Sequence, residues 1–481
     1  MRQMNQKVAV SVVFVAAMFM NIMDITIVNV ALPQLGRELD VAPTAVSAVS
    51  IGYLVSLAVV IPASGWLGDR FGMKRVLLTA IVIFTVASAL CGAAQTFSEL
   101  VLFRVLQGVG GGMLTPVGMA MLFRTFPPEE RVRASSILTT PTAVAPALGP
   151  VLGGLLVSSL SWRWVFYVNL PIGALALIFG LIFLREQETG VPERFDVTGF
   201  VLSGVGFAAL MFGISEGPER GWSSALVLAT IIVGIVLIAW MVHHQFHADV
   251  PLLKLRLFAE RLFRATNIVM FVASAAFLGV LYVVALFFQD GLGMSALASG
   301  LSTFPEALGV MIGAQVTTRF LYSPIGPRRL MAAGLVGVAV SIGLMALIDS
   351  RADLWPMRLL MVALGYSMSH VFVSSQAAGF ARISPAETGS ASTLFNAMRQ
   401  LGSAVGVAVL TTALTLAGAG KAGSGAGRRV DLHPFHVTFL VAAAVALAAA
   451  ALAFTVNDED ASATRVFGRG TRAKEPALEL G

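Results

Sequence analysis

Fourteen long apolar runs, each closed by a short polar or glycine-bearing stretch, take up almost the whole chain. They fall near residues 8–31, 46–64, 76–95, 99–123, 132–159, 162–184, 197–215, 222–243, 263–289, 297–318, 329–348, 355–380, 390–416 and 435–456. A helix rises about 1.5 Å per residue, so each run is long enough to cross a hydrocarbon layer of about 30 Å. Strands of a membrane barrel would alternate apolar and polar positions over about ten residues, and these runs do not alternate. The pattern predicts an all-α membrane protein with 14 spans.

Composition sharpens this picture. The 481 residues are 57% hydrophobic and only 12% charged, against about 25% charged in a soluble domain. The net charge of +6 would invite a nucleic-acid reading if the bases were clustered on one polar face. They mark topology instead. With the N-terminus inside, inner loops and tails hold 22 of the 32 Lys and Arg, outer loops hold 7, and Arg104, Arg358 and Arg399 lie within spans. That bias puts both chain ends in the cytoplasm. The first run is too long for a signal peptide core and reads as a retained span. A lone cysteine, Cys91, excludes an internal disulfide framework.

The loops are short, so no soluble domain is inserted. Residues 1–184 read as a first six-helix bundle, 185–262 as two extra spans with flanking inner loops, and 263–456 as a second six-helix bundle. The duplication shows in paired turns: GDRFGMKR after span 2 matches TRFLYSPIGPRR (318–329) after span 10. FRTFPPEERVRAS (123–135) matches FARISPAETGSAS (380–392) in the same way. Parallel halves joined by extra helices are a transporter architecture. Segment 244–262 alternates Leu and Phe with bases and predicts an amphipathic interfacial helix. The glycine-rich stretch 416–434 reads as a mobile linker and 457–481 as a disordered cytoplasmic tail.

Several polar groups sit where apolar residues are expected. Asp24, in MNIMDITIVNVALP of span 1, lies deep in its run, where a carboxylate is costly unless paired or hydrated. Such a residue faces a cavity or the bundle interior, either as a proton carrier or as an acid locked in a structural network. Arg104 and Gln107 lie one turn apart early in span 4, ahead of a run of glycines that admits close helix packing. Span 5 carries Pro146, Gly149, Pro150, Gly153 and Gly154, a combination suited either to a helix that bends or rocks against a neighbour or to static close packing. In the second half, Glu306 is the best additional carboxylate. Asn396 and Arg399 share one face of span 13. No phosphate loop, metalloprotease, thiol-pair or serine-elbow motif appears, and His243, His244 and His247 lack a ligand framework around them. An enzyme, a bound metal and a cofactor are therefore not expected, and uphill work must draw on an ion gradient.

Taken with these features, the chain resembles the major facilitator superfamily, and within it the drug:proton antiporters with fourteen spans. GWLGDRFGMKR (65–75) is similar to the superfamily's loop between spans 2 and 3, RVLQGVGGG to its span 4 motif, and ALGPVLGG to its span 5 antiporter motif. MDITIVNVALP and WRWVFYVNLPIG (162–173) resemble motifs of the fourteen-span subgroup. Met73 stands where the loop motif more often has a base, and Gly68 where alanine is commoner.

The resemblance implies two six-helix bundles plus two additional transmembrane helices. It implies proton coupling by Asp24, with Glu306 as a second candidate, and gating or coupling by Arg104, Gln107 and Arg399. Gly65, Asp69, Arg70, Gly72, Lys74 and Arg75 would form a conformational latch. In it, Asp69 caps a helix end and the bases contact the ends of neighbouring helices. Candidate cavity residues are Met18, Phe19, Met20, Met23, Asn29, Met113, Phe271, Phe287, Met311 and Asn396. The expected partners are protons, hydrophobic or amphipathic molecules such as drugs, dyes and lipophilic cations, and membrane lipids. No nucleic acid is expected, and the chain is expected to be a monomer in the inner membrane. Export of a native lipid or metabolite is the second reading, and a membrane sensor or scaffold without turnover the third.

Overall fold

The computed structural model describes residues 5–41, 46, 48–186, 194–418 and 431–465. Among them are 14 helices long and apolar enough to cross a membrane, and the described secondary structure is helical. Spans 1 to 6 are Gln6–Leu32, Ala48–Phe71, Met73–Ala93, Phe97–Thr125, Pro128–Ser159 and Trp164–Phe183. Spans 7 and 8 are Val197–Ile214 and Ala225–His247. Spans 9 to 14 are Arg261–Gly291, Leu297–Ile325, Pro327–Met345, Arg351–Gly379, Pro385–Leu416 and His433–Ala453.

Local chemistry sets several of these boundaries. Thr96 and Glu99 form a capping box that starts span 4. Asp196 and Glu260 accept backbone N–H bonds at the starts of spans 7 and 9. Gly72 and Gly326, at φ +93° and +85°, turn the chain sharply between spans 2 and 3 and between spans 10 and 11. Those dihedrals favour glycine because a Cβ crowds the backbone there.

The two halves use one packing scheme. Span 1 packs on spans 4, 5 and 6, span 2 on span 4, and span 3 on spans 4 and 6. Span 9 packs on spans 12, 13 and 14, span 10 on span 12, and span 11 on spans 12 and 14. The paired turns of the sequence thus sit at equivalent corners. Spans 7 and 8 pack on each other, and span 7 touches spans 2 and 13 from outside. The halves meet where span 13 lies against spans 2 and 4, and where span 5 lies against spans 10 and 12.

Two local expectations are overturned. No interfacial α-helix forms over 244–262: span 8 runs on to His247, and Leu255–Ala259 is a single 3-10 turn. Its apolar residues are used inward, since Leu252, Leu253 and Leu257 are buried against protein. The near part of the tail is also not disordered. Asp458 accepts from Arg328 N at 2.8 Å, Asp460 pairs with Arg382 at 2.7 Å, and Thr464 bonds Tyr322 at 2.8 Å. These contacts fasten residues 457–465 to the end of the second half. The linker expected around 416–434 lies, over 419–430, outside the described residues, as does the tail from 466.

Candidate functional site

Asp24 is fully buried in span 1 and is held by donors from two other spans. Arg104 Nη1 donates to its Oδ2, while Gln107 Nε2 and Asn169 Nδ2 donate to Oδ1 at 2.9 and 3.1 Å. Arg104 is itself fixed by Val49 O at 3.2 Å and Gln107 Oε1 at 2.7 Å, with its guanidinium 4.3 Å from the Tyr53 ring centre. An ionised carboxylate only accepts hydrogen bonds, so every group aimed at Asp24 suits the charged form. Oδ1 accepts two of these bonds and Oδ2 one, so a proton on Oδ1 would displace a donor.

From the Tyr53 ring that Arg104 faces, a hydrogen-bonded route leads toward the centre of the molecule. The Tyr53 hydroxyl donates to Asn21 Oδ1, and Asn21 Nδ2 donates to Thr115 Oγ1 at 3.3 Å. Thr115 lines a small cavity between the halves, together with Thr139, Gln376, Asn396 and Arg399. Its apolar walls include Met18, Met119 and Phe395. Asp24 is not part of that lining. Arg399 makes no ion pair, side-chain hydrogen bond or ring contact among the described residues.

Beneath the cavity, on the end where the first and last described residues lie, the halves are shut against each other. Phe123 of span 4 stacks on Phe380 with ring centres 4.4 Å apart. Ser64 Oγ lies 3.2 Å from Thr393 Oγ1, and a Cβ on Gly65 would come within 3.0 Å of Gly389. Asp69 accepts from Arg124 at 2.7 Å and lies beside the first turn of the helix Thr388–Leu416. A Cβ on Gly389 would sit 3.2 Å from its Oδ2. Helix N-termini carry partial positive charge, and Asp69 faces one across the seam. Arg131 reaches Ile383 O across the same seam at 3.4 Å.

The rest of the charged turn binds within its own half. Lys74 Nζ donates to Leu184 O at 2.6 Å, its backbone N–H donates to Glu186 Oε1 at 2.9 Å, and Arg75 lies 3.9 Å from the same carboxylate. Gly72 leaves the space Glu186 occupies, since a Cβ there would lie 2.6 Å from its Cδ. Arg70 is exposed and makes no hydrogen bond or ion pair among the described residues.

The remaining candidates are scattered. Gly149 and Gly153 press against Thr26 and Ile27 of span 1, but Gly154 faces open space. Pro146 is half-buried, and the Pro150 side chain lies outside the described residues. Glu306 is buried on span 10 and is not among the partners of Asp24. Of the cavity candidates, Met18 and Asn396 line the cavity, whereas Phe19 and Phe271 do not. Met20, Met23 and Met113 are buried outside its lining, in contacts between helices. Phe287 packs on Phe435 and Phe439 of span 14 because its face of span 9 turns away from the other half. Met311 is 38% exposed on the outer surface, and Asn29 is exposed with Ser50 as its hydrogen-bond partner.

Sequence reasoning missed Asn169, Tyr53, Glu186 and Arg124. Asn169 carried a usable signal, a lone amide inside the apolar run of span 6. Glu186 and Arg124 lie at the polar ends of spans, where nothing local separates a partner from an ordinary wet charge.

Comparison with known proteins bears on the family and the fold. The profile of the Major Facilitator Superfamily matches residues 14–407 and, in a second match, 325–479. The "Multidrug resistance protein B homolog" of Mycobacterium tuberculosis (strain ATCC 25618 / H37Rv) is 33% identical over 407 residues, 84% of this chain and 75% of that protein. The "Putative multidrug resistance protein MdtD" of Enterobacter sp. (strain 638) is 34% identical over 461 residues, 95% of this chain and 96% of that protein. Among solved structures, the human organic anion transporter MFSD10 (TETRAN) superposes with a TM-score of 0.67 at 17% identity, covering 94% of this chain and 100% of that one. The proton:xylose symporter XylE gives 0.64 at 14% identity, covering 96% and 100%. At those identities the two structures speak for the fold alone.

Proposed function

Because the chain belongs to the Major Facilitator Superfamily and is a multi-pass membrane protein, we propose that it is a proton-coupled antiporter of small molecules. It exports hydrophobic or amphipathic compounds across the inner membrane by alternating access. The multidrug resistance names of its relatives support that class of cargo. The observation that carries the coupling is the buried Asp24–Arg104 pair, joined through Tyr53 and Asn21 to a residue of the central cavity.

The bias of 22 of 32 bases to inner segments supports cytoplasmic termini, which makes the shut end the inner one. In this state three donors hold the Asp24 carboxyl group. Taking a proton breaks its match to Arg104, Gln107 and Asn169, and the released guanidinium shifts against Tyr53. Span 1 then moves against span 5, where Gly149 and Gly153 allow backbone-close sliding. Loss of the proton to the cytoplasm restores the pair. One charge crossing the membrane supplies about 2.3 kcal/mol per 100 mV, and a pH difference adds to it. That is enough to concentrate a substrate severalfold in one-for-one exchange. The latch turn biases which end is open, since a few contacts of about 1 kcal/mol each are enough to shift a two-state equilibrium.

The test is proton-driven transport in proteoliposomes, with wild type compared against Asp24→Asn on a panel of amphipathic dyes. The variant keeps its fold and loses uphill export. Unchanged uphill export would remove Asp24 from the coupling role, and absence of any proton-linked flux in the wild type would end the antiporter reading.

A further inference from the structure

We propose that the central cavity takes an amphipathic organic anion, whose carboxylate or equivalent acid group is bound by Arg399. This rests on the transport reading and names the charge of its cargo. Arg399 lines the cavity as a guanidinium with no partner among the described residues. Arginine keeps its charge in proteins, and an unpaired cation within a membrane bundle is costly. Arg104, the most deeply buried arginine among the described residues, is by contrast surrounded by Asp24, Gln107 and a backbone carbonyl. Arg399 has been left open on the surface a ligand would touch.

The rest of the lining points the same way. Among the described residues no Asp or Glu contributes to it, so that lining offers a cation no counter-charge, and a lipophilic cation would meet Arg399 directly. Gln376 lines the cavity with its Oε1 buried and without a partner. That leaves an acceptor for a hydroxyl or N–H on the ligand beside the acid group. Met18 and Met119 give soft walls that fit apolar bodies of different outline. The geometry therefore combines one fixed positive charge, one unused acceptor and an adaptable apolar wall. A guanidinium binds a carboxylate in a charge-assisted and often bidentate way, while the apolar remainder stays loosely specified.

Three probes of one shape separate charge from hydrophobicity: 2-naphthoate, 2-naphthylmethanol and 2-naphthylmethylammonium, titrated onto the full chain in lipid nanodiscs near neutral pH. Naphthoate should bind at least about ten-fold more tightly than the ammonium. Arg399→Gln should weaken naphthoate about ten-fold or more while leaving the alcohol within about two-fold, and Arg399→Lys should recover part of the loss. Without ligand, Arg399→Gln should melt no earlier than wild type, because it removes an unpaired, half-buried charge. Tighter binding of the ammonium, no naphthoate binding to folded protein, or an equal loss for all three probes in Arg399→Gln would overturn the proposal. Proton-driven flux of the ammonium without naphthoate binding would sink the anion site and leave the transporter reading standing. Naphthoate binding without proton-linked flux would support the site and sink the coupling.

Discussion

Glu186 and Asp458 occupy the same place in opposite halves. Each lies just past the last span of its bundle, under a glycine of positive φ, and accepts the backbone N–H two residues beyond that glycine. The Lys74 N to Glu186 distance is 2.9 Å and the Arg328 N to Asp458 distance is 2.8 Å. A Cβ on Gly72 or on Gly326 would lie 2.6 Å from the respective carboxylate. Each acid thus caps the following span from a distant part of the chain.

Remote caps of this kind should behave like local ones. Glu186→Ala and Asp458→Ala should each destabilise the protein by about 0.5–2 kcal/mol, the usual range for a lost N-terminal cap. Because the sites lie in separate bundles, the double variant should show the sum. Thermal unfolding in detergent reads this, and an Asp458→Ala protein as stable as wild type would mean the tail docks without contributing.

The Asp24–Arg104 pair should be strongly non-additive. Removing one partner leaves the other buried and uncompensated, which costs about 3–5 kcal/mol. Asp24→Leu alone or Arg104→Leu alone should therefore cost this much, whereas the double variant should recover a large part of the loss. Equilibrium unfolding in mixed micelles measures the cycle. Simple addition of the two single effects would show that the charges do not depend on each other.

At the shut end, Gly65→Val should act as a wedge. Its new side chain would start within 3.0 Å of Thr393 and Gly389, so spans 2 and 13 must separate. A cysteine placed at Thr393 should label faster with a water-soluble maleimide in this background than in wild type. Native Cys91 is buried and should stay silent. Equal labelling rates would show that the seam absorbs the methyls without opening.

Asp196 gives the acid-side dependence of the extra helical pair. Burial pushes its carboxyl upward, but hydrogen bonds from Gly199 N, His244 and Leu252 N, with the charge of His244, outweigh this and hold it below its ordinary value. A depressed carboxylate contributes fully above its unfolded value of about 3.9 and loses that contribution as pH falls through the folded one. Amide exchange at Gly199 and Leu252 should therefore quicken, relative to the intrinsic rate, only on strong acidification. Asp196→Asn should remove this dependence, and a wild-type change centred near neutrality would contradict the assignment.

The sequence was most readable where one residue breaks a long rule. A single acid in span 1 and a single base in span 4 stand out against apolar runs, and the fold brings Asp24 and Arg104 together across 80 residues. Their third partner, Asn169, is 145 residues from Asp24 and is equally conspicuous in its span once a partner is sought. Cavity residues were less readable, because Met and Phe serve lipid, helix contacts and ligand alike. Met311 faces outward and Phe287 joins an aromatic cluster, and only the rotation of each helix decides such cases. The tail misled for a different reason. NDEDASATR is polar enough to read as disordered, but its acids find a waiting helix end and Arg382.

The two remote caps have a further consequence for how the molecule would move. Glu186 cinches the first bundle and Asp458 the second, and neither belt crosses to the other side. Any rocking must then be borne by the few ties that do cross, among them Ser64 to Thr393, Arg131 to Ile383 and Phe123 on Phe380. The protein is built as two stiff jaws with a sparse zip between them, so changes of rate should come from editing the zip and changes of durability from editing the belts.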